Sequence, residues 1–262
     1  MKKFDRVKMF MLDMDGTFYL GDTLLPGATD FLAACRAKEI EYTFLTNNSS
    51  KSAEDYLQKL VSLGVHATRQ EMFTSGDATL LYLAEKGFSK EIHLVGTSSL
   101  HRQFEQEGYH TRAAQPVAVV LGYDTGIDFA GLAALCSVVR TGLPYIATHP
   151  DRNCPVQGGF VPDVGAVLAY VQASTGRWPD FVVGKPEAYM AQAVAQRAGL
   201  PMEALCMVGD RLYTDIALGA CGVRTALVLS GETRREEVAH SGIVPDGIYE
   251  NLAEMAGLLY EV

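Results

Sequence analysis

Tryptophan occurs once and cysteine only five times in this chain of 262 residues. Cys35, Cys136, Cys154, Cys206 and Cys221 are odd in number, widely scattered and without a Cys-x-x-Cys pair, which points away from a disulfide framework and from a zinc site. A reducing, cytoplasmic setting is expected. No block of Lys and Arg stands out, and a formal charge of -9 with a pI near 5.2 leaves no basic footprint for a nucleic-acid backbone. Apolar runs long enough to span a membrane are lacking, and Asp5, Arg6 and Lys8 interrupt the start before any stretch of signal-peptide length. Neither a nucleic acid nor a membrane is therefore expected as a partner. Repeats and low-complexity linkers are also lacking, so domain edges carry no compositional mark. What is there is ordinary globular material, 48% hydrophobic with 25 Gly and 10 Pro, enough for one large domain or two modest ones.

The apolar run Val7 to Leu12 reads as a buried strand, and Asp13-Met14-Asp15-Gly16-Thr17 follows it directly. A turn at a strand exit lifts both carboxylates out of the strand's alternation of faces and lets them converge. Two such charges repel by several kcal/mol at an effective dielectric of about 20, so the pair calls for a divalent metal, a shared proton or a basic partner. The same residues also read as a plain Asp-Gly turn.

Helices at Pro26 to Ala37 and Ser52 to Leu63 alternate with strands at Tyr42 to Leu45 and Glu71 to Thr74, which implies a parallel sheet. In such sheets ligands bind outside the carboxyl ends of the strands, where Asp13, Asp15 and the segment Thr46-Asn47-Asn48-Ser49 all fall. That segment equally suits a turn leading into a helix cap. From about Asp77 to Asp180 the alternation continues with strands Ile92 to Val95, Val117 to Gly122 and Tyr145 to Thr148, a stretch of small-domain size. Gly76 and Arg177-Trp178-Pro179-Asp180 are its expected edges. Beyond it, Phe181 to Val183 ends in Gly184-Lys185-Pro186, Leu205 to Val208 ends in Gly209-Asp210, and Asp215 follows. A last strand at Thr225 to Leu229 and two helices close the pattern.

Four strand exits thus carry Asp13 and Asp15, Thr46 and Asn47, Lys185, and Asp210 with Asp215, in that order. This arrangement resembles the haloacid dehalogenase-like hydrolase superfamily over nearly the full length: Asp-x-Asp-Gly-Thr, a Thr after an apolar strand, the Lys of Gly-Lys-Pro, and Gly-Asp-x-x-x-x-Asp. Only about 30 residues separate Asp15 from Thr46, too few for a domain, whereas nearly 140 separate Thr46 from Lys185. That spacing is similar to the branch of nitrophenylphosphatase-like and NagD-like sugar phosphatases. The resemblance implies an α/β fold, a Rossmann-like parallel-sheet core (residues 1–76 plus 181–262) with an α/β cap inserted at residues 77–180.

It also implies roles. Asp13 would be the nucleophile and Asp15 the acid that protonates the leaving group and then activates water. Mg²⁺ would be held by Asp13, Asp210 and the backbone carbonyl of Asp15, with Asp215 orienting Lys185 or a metal-bound water. Thr46, the Asn47 backbone and Lys185 would bind the phosphoryl group. In the cap, Tyr123-Asp124 follows one strand, and Thr148-His149-Pro150-Asp151 is similar to an Ala-Thr-Asn-Pro-Asp stretch of the branch, with His149 replacing the usual Asn. Tyr123, His149 and Asp151 are candidates for substrate selection, and read equally as ordinary cap turns. The expected activity is hydrolysis of a small phosphorylated metabolite, and the branch's habit of pairing through its caps suggests a homodimer. A phosphotransferase or mutase using the same aspartyl phosphate, and a non-catalytic protein that binds phosphorylated metabolites, are the rival readings.

Overall fold

The computed structural model describes residues 4–156 and 159–261, which group into two compact units. One takes the chain up to Thr46, then Leu57–Phe73, then the chain from Lys185 onward; the other takes Asn47–Tyr56 and Thr74–Gly184.

The first unit is built on a six-stranded sheet whose spatial order is Gly247–Tyr249, Arg224–Val228, Leu205–Gly209, Met9–Leu12, Glu41–Thr46 and Met72–Thr74. Its central strands read as unbroken apolar runs because a parallel sheet is covered on both faces. All four residues of Met9–Leu12 and all five of Leu205–Gly209 are buried. Met9 to Leu12 run parallel to Leu205 to Val208 on one side and to Glu41 to Phe44 on the other. The next strand in the chain therefore lies on one side of the first, and the strands from the last third of the chain lie on the other. A crevice opens at the carboxyl end of such a switch point, and Asp13, Thr46 and Asp210 each follow or end one of the three strands that border it.

The second unit has a four-stranded parallel sheet in the order Phe181–Val182, Tyr145–Ala147, Ala118–Leu121 and Ile92–Val95. Val119, Leu121, Leu135, Tyr145, Leu168 and Val171 form the heart of its core. Helix starts are fixed by side chains. Thr97 Oγ1 accepts from the Leu100 amide, and Asp128 Oδ1 accepts from the Gly131 amide at 2.8 Å. Thr74 and Asp77 form a reciprocal capping box at 3.1 and 2.9 Å.

Most expected elements are present, with several differences, among them the edge strand Gly247–Tyr249, which the sequence reading lacks. Gly76, expected as an edge of the second stretch, lies inside the helix Ser75–Glu85, where a Cβ would press on the ends of the Gln103 and Leu100 side chains. A hairpin of Asn153–Val156 and Gly159–Pro162 and the helix Val164–Thr175 were not foreseen. Asn47–Tyr56, which the expected limits leave with the first sheet, packs with the second unit: Ser49 Oγ lies 3.0 Å from Thr148 Oγ1 and accepts from the Tyr123 amide at 2.8 Å.

Asp128→Ala should cost about 1 kcal/mol of stability, because it strips the first turn of the helix Phe129–Val139 of its cap. Equilibrium denaturation in guanidinium with an unchanged slope would show it; no shift in midpoint would mean the cap contributes nothing.

Candidate active site

The end of Met9–Leu12 turns sharply. Gly16 adopts φ +89, and a Cβ there would collide with the Asp210 carboxylate. The turn leaves Asp13 and Asp15 on one loop, with the Tyr19 hydroxyl donating to Asp15 Oδ2 at 3.4 Å. Gly209 plays the matching part at the end of its strand: its Cα is pressed against the Asp215 carboxylate, in space that any Cβ would fill.

Lys185 joins these loops. Its Nζ donates to Asp13 Oδ1 at 2.6 Å and to Asp215 Oδ1 at 2.6 Å, and lies 3.4 Å from the Leu45 carbonyl. The side chain is only 2% exposed. Burial pulls the ammonium's pKa down, but the charges of Asp13 and Asp215 outweigh it, so the net shift is upward and the lysine stays charged. Asp13 also shifts upward, which for a carboxylate favours the neutral form. Burial raises its pKa well above the ordinary carboxylate value, Lys185 opposes this, and Asp215 and Asp210 add to it.

Asp210 is buried between loops. Its Oδ1 accepts from the Thr17 hydroxyl at 3.1 Å and its Oδ2 from the Glu232 amide at 2.7 Å. Burial and then the Asp215 charge push its pKa up to about 6, opposed by Arg211, the Glu232 amide and Thr17. Asp13, Asp210 and Asp215 each bring a carboxylate oxygen within 4.8 Å of the others, and together could hold a metal ion. The donors are hard oxygens, and three carboxylates against one ammonium leave a surplus of negative charge.

Of the residues singled out in the sequence, the structure brings Asp13, Lys185, Asp210 and Asp215 into one cluster, with Asp15 on the same loop as Asp13. Thr46 ends the neighbouring strand and is buried. Asn47, Tyr123, His149 and Asp151 belong to the second unit. There Asn47 Nδ2 donates to Asp151 Oδ1 at 2.8 Å, and His149 is wholly buried with Nδ1 2.9 Å from Thr148 Oγ1 and Nε2 2.9 Å from Asp163 Oδ1. His149, Asp151 and Asp163 form a second group with metal-ligand spacing. Sequence reasoning missed Thr17, Asp163 and the loop at Ser230–Thr233; of these only Thr17, inside the first motif, carried a local signal.

A family model described as haloacid dehalogenase-like hydrolase matches residues 10–110, and a second, described as HAD-hydrolase-like, matches residues 182–255. The chain is 32% identical over 249 residues to an acid sugar phosphatase of Staphylococcus aureus, covering 94% of this chain and 96% of that protein. The chain belongs to the haloacid dehalogenase-like hydrolase family. A 5'-nucleotidase of Bacillus subtilis, YutF, is 30% identical over 248 residues, with 94% and 96% of the two chains covered. The crystal structure of a 4-nitrophenylphosphatase from Thermotoga maritima matches with a TM-score of 0.94 at 42% identity, over 97% of this chain and 98% of that one. These likenesses place it in the NagD and 4-nitrophenylphosphatase branch of the family.

Lys185→Met should destabilise the family fold here more than a surface change does. It leaves Asp13 and Asp215 buried without their cation, a loss of about 3 kcal/mol in thermal or chemical denaturation. A variant as stable as the parent would show that the ion triad does not hold the loops together.

Proposed function

We propose that this chain hydrolyses small phosphomonoesters, such as sugar phosphates or nucleotides, in a Mg²⁺-dependent reaction through an aspartyl phosphate on Asp13. Its standing as a phosphoric monoester hydrolase rests on full-length likeness to phosphatases. The observation that carries the finer reading is the convergence of Asp13, Asp210 and Asp215 around Lys185 at the exits of adjacent strands.

In this reading an Asp13 oxygen attacks phosphorus, and a bond from carboxylate to phosphorus forms as the ester P–O bond breaks. Asp15 gives its proton to the departing alkoxide, then takes one from the water that attacks the aspartyl phosphate. Inorganic phosphate leaves and Asp13 is restored. Lys185 supplies positive charge to the phosphoryl oxygens, and the Thr46 hydroxyl and Asn47 backbone donate to them. The oxygen-only donor set and its surplus charge suit Mg²⁺, which Asp13, Asp210 and the Asp15 carbonyl would hold and which would offset repulsion between Asp13 and the phosphate. Asp215 orients Lys185, consistent with their 2.6 Å contact.

Residues 1–76 with 181–262 as core and 77–180 as cap are the domain limits of this reading. Tyr123, His149 and Asp151 are its candidates for substrate selection, His149 through its hold on Asp163. A small phosphorylated metabolite is the partner it names, and a homodimer through the cap is carried over from the branch. A cytoplasmic location is carried over from the sequence reading, and none of the five cysteines is in a disulfide.

Asp13→Asn should reduce Mg²⁺-dependent hydrolysis of nitrophenyl phosphate to below about one per cent while leaving the fold intact, and Asp15→Asn should lower kcat by about 10²- to 10⁴-fold. Chelation with EDTA should remove activity and added Mg²⁺ restore it. Turnover by Asp13→Asn near the parent rate would overturn the assignment of the nucleophile.

A further inference from the structure

We propose that the loop Ser230–Thr233, which follows the strand Arg224–Val228, is a positioning element that sets the orientation of Asp210 and so the affinity of the acidic pocket for its cation. The inference rests on the metal reading above and adds to it a fifth loop that none of the four motifs contains. Every residue of this loop touches the first or fourth motif. Ser230 Oγ donates to the Gly16 carbonyl at 3.0 Å. The Glu232 amide donates to Asp210 Oδ2 at 2.7 Å, and the Thr233 amide donates to the Asp210 carbonyl at 3.2 Å. Gly231 lies flat against the Asp210 carboxylate, where a Cβ would overlap its Cγ and Oδ2.

The Asp210 carboxylate is thereby confined between two walls that lack a Cβ, Gly231 on one side and Gly16 on the other. Thr17 donates to one oxygen and the Glu232 amide to the other, which fixes the plane of the carboxylate. Each oxygen keeps a further lone pair, so these donors orient the group without using up its capacity to bind an ion. The loop is itself pinned. Arg211 Nε lies 3.0 Å from Glu232 Oε2, and the Tyr213 hydroxyl donates to the same oxygen at 3.5 Å. Asp210 and Arg211 thus hold Glu232 by its main chain and its side chain together. Glu232 is a positioning residue here, and its carboxylate is not assigned to the ion.

The test is Mg²⁺ binding to the full-length protein by titration calorimetry, with Mn²⁺ binding by electron paramagnetic resonance as a second probe, beside the Mg²⁺ dependence of kcat. Gly231→Ala should weaken both ions by about ten- to a hundredfold, the range expected when a partner that orients a metal ligand is lost. Ser230→Ala and Glu232→Gln, which keep the loop backbone, should each weaken binding by about threefold. In all three, kcat at saturating Mg²⁺ should recover more fully than activity at low Mg²⁺. Wild-type affinity in Ser230→Ala and Glu232→Gln, or a fall in kcat with no change in ion binding, would overturn the inference even if Gly231→Ala fails to fold. Asp210→Asn separates the two readings: if it abolishes ion binding while the loop variants bind normally, the loop proposal alone falls; if it binds as the parent does, both fall.

Discussion

One buried ammonium organises the pocket. Lys185 Nζ sits 2.6 Å from a carboxylate on each of two loops, at the exits of Met9–Leu12 and Leu205–Gly209. A lysine this deeply enclosed is unstable without partners, since stripping water from a charge costs several kcal/mol even after relaxation. Attraction to a carboxylate at contact distance returns about 4 kcal/mol per pair at an effective dielectric near 20, so two partners outweigh the cost where one leaves it marginal. The two loops are therefore bound to each other through the lysine. The glycines at positions 16 and 209 allow it, because a Cβ at either would occupy space that Asp210 and Asp215 fill.

The sheet order explains why those loops are neighbours at all. Met9–Leu12 lies where the strand order reverses, so its exit is flanked by the exits of Glu41–Thr46 on one side and Leu205–Gly209 on the other. Helices fill the faces of a parallel sheet, and the crevice at the reversal is the opening into which three loops project side chains without burying a strand edge. The chemistry follows from this placement. A cluster of three carboxylates around one fixed ammonium suits the neutralisation and transfer of a phosphoryl group.

The sequence was legible wherever a single stretch of chain carried the signal. Met9–Leu12 and Leu205–Gly209 are runs of buried apolar residues, and each ends in the Gly and Asp residues that mark an exit. Lys185 was legible only through its order among the motifs, since an isolated Gly-Lys-Pro says nothing of burial. The features that escaped are tertiary. Ser230-Gly231 reads as a turn, and its grip on Asp210 exists only because their strands are neighbours in the sheet. The departure at His149 was visible, but its partner Asp163 lies beyond a hairpin, and their contact is set by the fold rather than by any adjacent residues. Gly76, taken as a domain edge, lies two residues from Thr74, where the second unit resumes, but it sits inside a helix against Gln103 and Leu100 of another helix, which no local pattern shows.

The register of Met9 with Leu205 carries a consequence for biosynthesis. Met9–Leu12, a wholly buried apolar strand, is made before both of its neighbours in the sheet, and one of them follows about two hundred residues later. Until then Met9–Leu12 is an unprotected edge with its hydrogen-bonding groups exposed, the kind of surface that draws in other chains. Nascent protein is thus at its most vulnerable to aggregation, and most in need of a chaperone, during translation of the whole second unit, and a ribosome stalled there would leave a product unable to form any part of the Lys185 ion triad.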